Sequence, residues 1–171
     1  MTLRTNARIA GFTLILYFVA GISQLMLSSR GPANDVLTMV TAFSALVLGV
    51  TLYAITREQD PDLAMMALAC RVIEAVPGEG AIFFAVGSLI FSWLLLRGRM
   101  IPAALAWLGV IGSGLLVVIL PVQRAGLFGG SLSWASGMTW FIWLPTLVFE
   151  LTLAAWLIVK GVATPARRQT A

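Results

Sequence analysis

The 171-residue sequence has no histidine, one cysteine and one lysine. Without histidine there is no Ser-His-Asp arrangement, no imidazole metal ligand and no usual haem ligand. Cys70 alone builds no disulfide framework and says nothing of redox compartment. Lys160 ends a hydrophobic segment, where its ammonium snorkels to the interface. That placement argues against a Ser-Lys dyad and makes a mid-membrane retinal Schiff base implausible. No Gly-rich phosphate loop, H-E-x-x-H or C-x-x-C motif occurs. The methionines are scattered, with Met65-Met66 the one adjacent pair, so they form no copper relay. No catalytic residue, metal or cofactor is expected. Enzyme chemistry through carboxylates stays open, but nothing recommends it.

Charge is scarce too. Only 11% of residues are charged while 60% are hydrophobic, and the mean hydropathy is +0.97. Soluble domains are about 45–50% apolar and about 25% charged. The composition therefore predicts an integral membrane protein of one domain, residues 1–171. The net charge of +4 does not indicate nucleic acid, because the basic residues sit at segment ends rather than in a patch. The expected partner is membrane lipid. Six short helices enclose little volume, so a membrane-protein partner or a second copy is also plausible.

A membrane-spanning helix needs about 20 apolar residues. Residues 9–27, 36–55, 101–120 and 140–159 meet this, and 81–96 is slightly short but uncharged. Residues 63–76 are short and contain Arg71 and Glu74. Loop charge argues that they cross. With six spans and the N-terminus inside, Arg4, Arg8, Arg57, Arg97, Arg99, Lys160, Arg167 and Arg168 face the cytoplasm and only Arg30 and Arg124 face out. If 63–76 does not cross, the bias disappears. The positive-inside rule thus predicts an all-α polytopic bundle of six transmembrane helices with both termini cytoplasmic. The first segment reads as a retained signal anchor, since it is too long for a signal peptide and no cleavage site follows.

Local signals agree. Asp60 and Pro61 predict the start of the third helix, Asp35 can cap the second, and Pro102 begins the fifth. Pro77-Gly78 can end or kink the third helix. Glu79 reads as solvated in an outer turn. The Gly/Ser-rich loop 121–137 is expected in the outer interface with Trp134 and Trp140 at headgroup level, and the tail 162–171 as disordered. Gln24 reads as an interhelical hydrogen bond or an interface residue. Tyrosines and tryptophans read as interface anchors or packing. Gly109 with Ser113, and Ser88 with Ser92, read as close helix contacts. Arg97 and Arg99 are explained by topology, with lipid headgroup contact a further role.

In the third helix Ala64, Ala67, Arg71, Glu74, Ala75 and Gly78 share one face by i, i+3, i+4 spacing. That face should meet other helices. The face with Leu63, Met66, Val72, Ile73 and Val76 should meet lipid. Arg71 lies about 13 Å into its segment and Glu150 about 15 Å from either end of the last, so both sit near mid-membrane. A lone charge there costs about 2.5–3.5 kcal/mol, and pairing is the usual remedy. Arg71, Glu74 and Glu150 are the candidate buried cluster, either a clasp that fixes helix register or a ligand, ion or proton site. If all three ionise, one negative charge is in surplus, so one carboxyl of the pair is expected to hold a proton.

Four stretches together resemble a known family: "ARIAGFTLILYFVAGI", "LAMMALACRVIEAV", "GSLIFSWLLLRGRMIPAALAWLGVIGSGL" and "FELTLAAWLIVKGV". They resemble the bacterial multi-pass membrane proteins of domain-of-unknown-function family 4386. The resemblance covers most of the helical chain and implies a six-helix inner-membrane protein with no assigned reaction, substrate or cofactor. The family pattern falls on Arg71, on the turn from Arg97 to Pro102, and on Glu150. The loops after helices 1 and 3 are compact here, which puts in doubt any family function carried by those loops.

The leading expectation is a non-enzymatic accessory or scaffold subunit, or a binder of a small apolar or lipid-like ligand. The alternative is a small transporter or proton-coupled carrier using Arg71, Glu74 and Glu150. The charge count makes one prediction. An infrared band of a protonated carboxyl should be present in the wild-type protein and absent from both Glu74→Gln and Glu150→Gln. Its absence from the wild type would refute the shared proton.

Overall fold

The computed structural model describes residues 2–27, 31–76, 80–126 and 137–163. The turn at Pro77, Gly78 and Glu79, most of the 121–137 loop with Trp134, most of the tail, and Arg30, Arg167 and Arg168 lie outside them. Six helices make up the described chain: α1 Leu3–Leu27, α2 Pro32–Thr56, α3 Pro61–Glu74, α4 Gly80–Arg97, α5 Ala103–Arg124 and α6 Gly137–Val159. There is no strand among the described residues. A chain this apolar satisfies its backbone within each segment, because lipid offers no hydrogen-bond partners.

The local start signals work as expected in two places. The Asp60 carboxylate accepts the Leu63 N–H at 3.1 Å, with Pro61 in the first turn of α3. Pro102 stands immediately before α5. The second helix begins earlier than Asp35 suggests, at Pro32 after Gly31. Asp35 therefore sits in the first turn instead of capping it, where its charge still favours the helix N-terminus. At the far end of α4, Arg99 takes a left-handed conformation with φ 50°. Its N–H reaches the Leu96 carbonyl at 3.0 Å, and the Met100 N–H reaches Leu95 at 3.0 Å. This pair of bonds closes the helix end.

Each helix packs on its neighbours in the chain, and α6 returns to α1, so the six form a closed ring in sequence order. α2 and α4 also touch across the ring, whereas the backbones of α3 and α6 do not approach one another. Glycines set the closest contacts. A Cβ at Gly109 would lie 2.5 Å from both Ser92 Oγ and Phe149 Cζ, and one at Gly11 would lie 2.8 Å from the Ala154 carbonyl. Gln24 donates to Thr41 Oγ1 at 2.7 Å and ties α1 to α2, so it is the interhelical bond.

The start of α1, the α2–α3 turn, the α4–α5 turn and the end of α6 gather at one end of the bundle. Arg97 Nη1 lies 3.4 Å from Asp60 Oδ2 there, and the Ala163 N–H donates to the Met100 carbonyl at 2.9 Å. Arg4, Arg8, Arg57, Arg97, Arg99 and Lys160 collect at this end. At the opposite end the described residues supply Asp35 and Arg124. Between the ends, Phe12, Met39, Phe43, Ile111 and Phe141 point outward. Such a belt marks a lipid-facing surface.

Among the described residues, five helices are long and apolar enough to cross a membrane. The sequence expects a sixth crossing at 63–76. With 14 residues, α3 is only about 21 Å long, short of the roughly 30 Å hydrocarbon thickness. Its C-terminal end at Glu74 therefore stops below the ends of α1, α2 and α6.

The glycine contacts make a paired prediction. Gly109→Val should lower the melting temperature in micelles, by overpacking worth about 1–3 kcal/mol. Gly21→Val should leave it nearly unchanged, because a Cβ there meets nothing within 4 Å. Equal effects of the two substitutions would refute the contact.

Candidate functional site

The stripe on α3 points inward as its spacing requires. Ala64, Ala67, Cys70 and Arg71 are buried, while Met66, Val72, Ile73 and Val76 are exposed. Leu63 is the one member of the outer face that packs partly inward. Arg71 is the largest fully buried side chain in the described structure, at 1% exposure. Room for it comes from glycine on both flanking helices. A Cβ at Gly49 of α2 would lie 2.9 Å from the Arg71 Cβ, and one at Gly87 of α4 would lie 3.2 Å from the Cys70 Cβ.

Helix rise brings the partners to one level. Counted from the charged end, Arg71, Ser88 and Glu150 each lie about 14–15 Å along their helices, and Tyr17 and Glu74 about 20 Å. Arg71 Nη1 donates to Glu74 Oε2 at 2.9 Å. Its Nη2 donates to Ser88 Oγ at 2.9 Å and lies 3.4 Å from Glu150 Oε1. The Ser88 hydroxyl in turn donates to Glu150 Oε1 at 2.7 Å. Tyr17 donates its hydroxyl to Glu74 Oε1 at 2.6 Å. The cluster thus joins α1, α3, α4 and α6.

Aromatic rings close it. The guanidinium carbon of Arg71 sits 4.9 Å from the Phe84 ring centroid, an attractive arrangement that is stronger out of water. The Phe84 ring lies parallel to Tyr17, with centroids 6.3 Å apart, and 5.6 Å from Trp143. Several polar atoms in the interior have no hydrogen-bond partner among the described residues: Arg71 Nε, Glu150 Oε2, Ser92 Oγ, Ser113 Oγ and Thr146 Oγ1. Each carboxylate oxygen of Glu74 accepts one bond and keeps a further lone pair.

Above the cluster, a cleft of about 360 Å³ opens between the second half of α1 and the first half of α6. Its walls include Phe18, Ile22, Leu25, Trp140, Trp143, Leu144 and Leu147, and its floor carries Glu74, Tyr17 and Phe84. A second recess of about 170 Å³ reaches the same Glu74 from the α1–α2 side, past Gln24, Thr38 and Thr41. The glutamate at the tip of the short helix is therefore shared by two recesses, of which the second carries more polar side chains.

The structure brings Arg71, Glu74 and Glu150 together. Arg97 and Arg99 stand apart, about 14 Å below at the charged end. Arg97 bridges to Asp60, and the Arg99 side chain is exposed. The sequence reading misses three members of the cluster: Ser88, Tyr17 and Phe84. Ser88 was read as helix packing. Tyr17 carried a usable signal, since it lies 14 residues into α1 and so far from the interface where tyrosine anchors. Phe84 carried none.

Residues 78–161 match the family model described as "Domain of unknown function (DUF4386)". The match takes in α4, α5 and α6, and with them Ser88, the Arg97–Pro102 turn and Glu150. No curated protein and no solved structure matches the chain.

The cluster predicts an asymmetric response to substitution. Arg71→Met leaves two carboxylates buried without their cation and should destabilise the bundle by about 3–5 kcal/mol. Removing all three charges together, as Arg71→Met with Glu74→Gln and Glu150→Gln, should recover most of that loss. Unfolding in mixed micelles measures both. A triple variant as weak as the single one would contradict the pairing.

Proposed function

We propose that this chain, a DUF4386-family membrane protein, is a non-enzymatic binder of a small lipid-like ligand. It lies in the bacterial inner membrane with both termini cytoplasmic. The cleft above Glu74 carries the reading. Its size falls within the about 300–1,000 Å³ typical of small-molecule sites. Its walls are apolar and aromatic, and its few polar groups converge on one carboxylate and one phenol. That is the layout expected of a site that takes an apolar body and fixes a polar head. The ligand enters between α1 and α6, its tail against Ile22, Leu25, Leu144 and Leu147 and its head at Glu74 and Tyr17.

Placement in the membrane follows from the gathering of cations at one end. In this reading α3 is the sixth crossing element. Arg97 and Arg99 then face the headgroups of the cytoplasmic leaflet. A partner subunit or a second copy would cover part of the apolar belt. An accessory or scaffold role is the reading that remains if the cleft binds nothing.

A small proton-coupled carrier is the second reading. It is favoured by Thr146, which lines the cleft one turn from Glu150 and has an unpartnered hydroxyl.

Gly21 supplies the test. It lines the cleft, and a side chain there meets no neighbour. Gly21→Trp should fill the space without disturbing the fold. Native mass spectrometry of the protein released from nanodiscs should show a bound lipid-sized molecule in the wild type, reduced at least about tenfold in the variant. Equal occupancy in both would refute binding in this cleft. A topology assay accompanies it. In a Cys70→Ala background, a cysteine at Gln123 should react with an impermeant maleimide in intact cells, and one at Arg99 should not. The reverse pattern would refute the orientation.

A further inference from the structure

Resting on that binding site, we propose that its ligand is a monovalent organic cation, an amine or quaternary ammonium on an apolar body, and that its entry releases one proton from the cluster. Two independent observations carry this. The first is the charge count. Arg71 balances one of two carboxylates, Glu74 and Glu150, and the described structure brings no second cation to them. A surplus negative charge inside a membrane is met by a proton or by a cation. The second is the wall beside Glu74. Tyr17 bonds to that carboxylate, and Phe84, Trp140 and Trp143 line the cleft that opens on it. Aromatic faces with a carboxylate are the chemistry that recognises an ammonium group. An anion would meet Glu74 first and be repelled.

The two carboxyls divide the work. Glu74 lies 2.9 Å from the guanidinium, while Glu150 lies 3.4 Å from it and has an oxygen with no partner. Glu150 is therefore the carboxyl that holds the proton when the cleft is empty. Thr146, four residues earlier on α6 and so on the same face, lines the cleft, and its buried hydroxyl, without a partner among the described residues, packs beside Gly112 of α5. The ionisable groups around the cluster are Tyr17 from α1, Arg71 and Glu74 from α3, with Cys70 beside them, and Glu150 from α6. No ionisable side chain of α2, α4 or α5 bonds to it among the described residues. When a cation docks at Glu74, Glu150 gives up its proton to solvent, and the cluster keeps its charge.

Calorimetry on the full chain in dodecyl maltoside micelles at pH 7 tests this with three probes of similar shape: benzyltrimethylammonium, its uncharged carbon isostere neopentylbenzene, and phenylmethanesulfonate. The ammonium should bind at least about tenfold tighter than the isostere, and the sulfonate should not bind. Titrations in two buffers of different ionisation enthalpy should show close to one proton released per ammonium bound. Glu74→Gln should weaken the ammonium at least about tenfold and abolish the proton release. Should that variant fail to fold, Gly21→Trp, which leaves the cluster intact, should remove binding of the ammonium. Isostere and ammonium binding alike would overturn the cationic class while leaving the lipid-like site standing. Ammonium binding without proton release would overturn the exchange. No probe bound, together with no co-purified molecule, would overturn both readings.

Discussion

A guanidinium at mid-membrane is the constraint from which the rest of this structure follows. Arg71 keeps its charge, so it requires a counter-charge, hydrogen-bond acceptors and space. Gly49 and Gly87 supply the space by removing side chains where its stem passes between α2 and α4. Glu74 supplies an acceptor from the same helix, Ser88 one from the neighbouring α4, and Glu150 one from across the ring. The backbones of α3 and α6 do not meet, so Arg71 and Glu150 are the link between them. A ring of helices held by small-residue contacts at its circumference is thereby tied through its centre.

The same helix that brings the arginine also opens the cleft. α3 stops at Glu74, below the ends of its longer neighbours. A long apolar helix in its place would fill the bundle and leave no access to the cluster. The short helix instead leaves Glu74 lining two recesses, one between α1 and α6 and one between α1 and α2, the second with Gln24, Thr38 and Thr41 among its walls. Gly80 completes the geometry by passing close to the end of α3, where a Cβ would lie 2.9 Å from the Glu74 carbonyl. Structural pairing and ligand access are thus two consequences of one element, and a clasp and a site need not be exclusive here.

How much of this could be read beforehand depended on how local each signal was. Asp60 and Pro61 announced the start of α3 because capping is a matter of adjacent residues. The inward face of α3 was legible because helical spacing alone decides which residues share it. Glu150 was found by depth, since rise per residue is constant. Ser88 reads as packing, because a serine among small residues gives no sign of whether its hydroxyl or only its size is being used. Tyr17 reads as an anchor because tyrosine in membrane helices so often is one. The early start of α2 was missed because Gly31 and Pro32 make a start of their own, and Asp35 drew attention four residues too late.

Read alone, the residues mark an all-helical membrane protein with most of its cations at one end and with Arg71 and Glu150 near mid-depth. Those are consequences of composition, period and length, which hold for each segment whatever its neighbours. Only the tertiary structure decided that the helices close into a ring in chain order and that Arg71 is shared between Glu74, Ser88 and Glu150. It also decided that a cleft stands over Glu74. The physical reason is that these depend on which helix faces which. That is set by small residues far apart in sequence, such as Gly11, Gly49, Gly87 and Gly109, whose effect appears only when two helices meet.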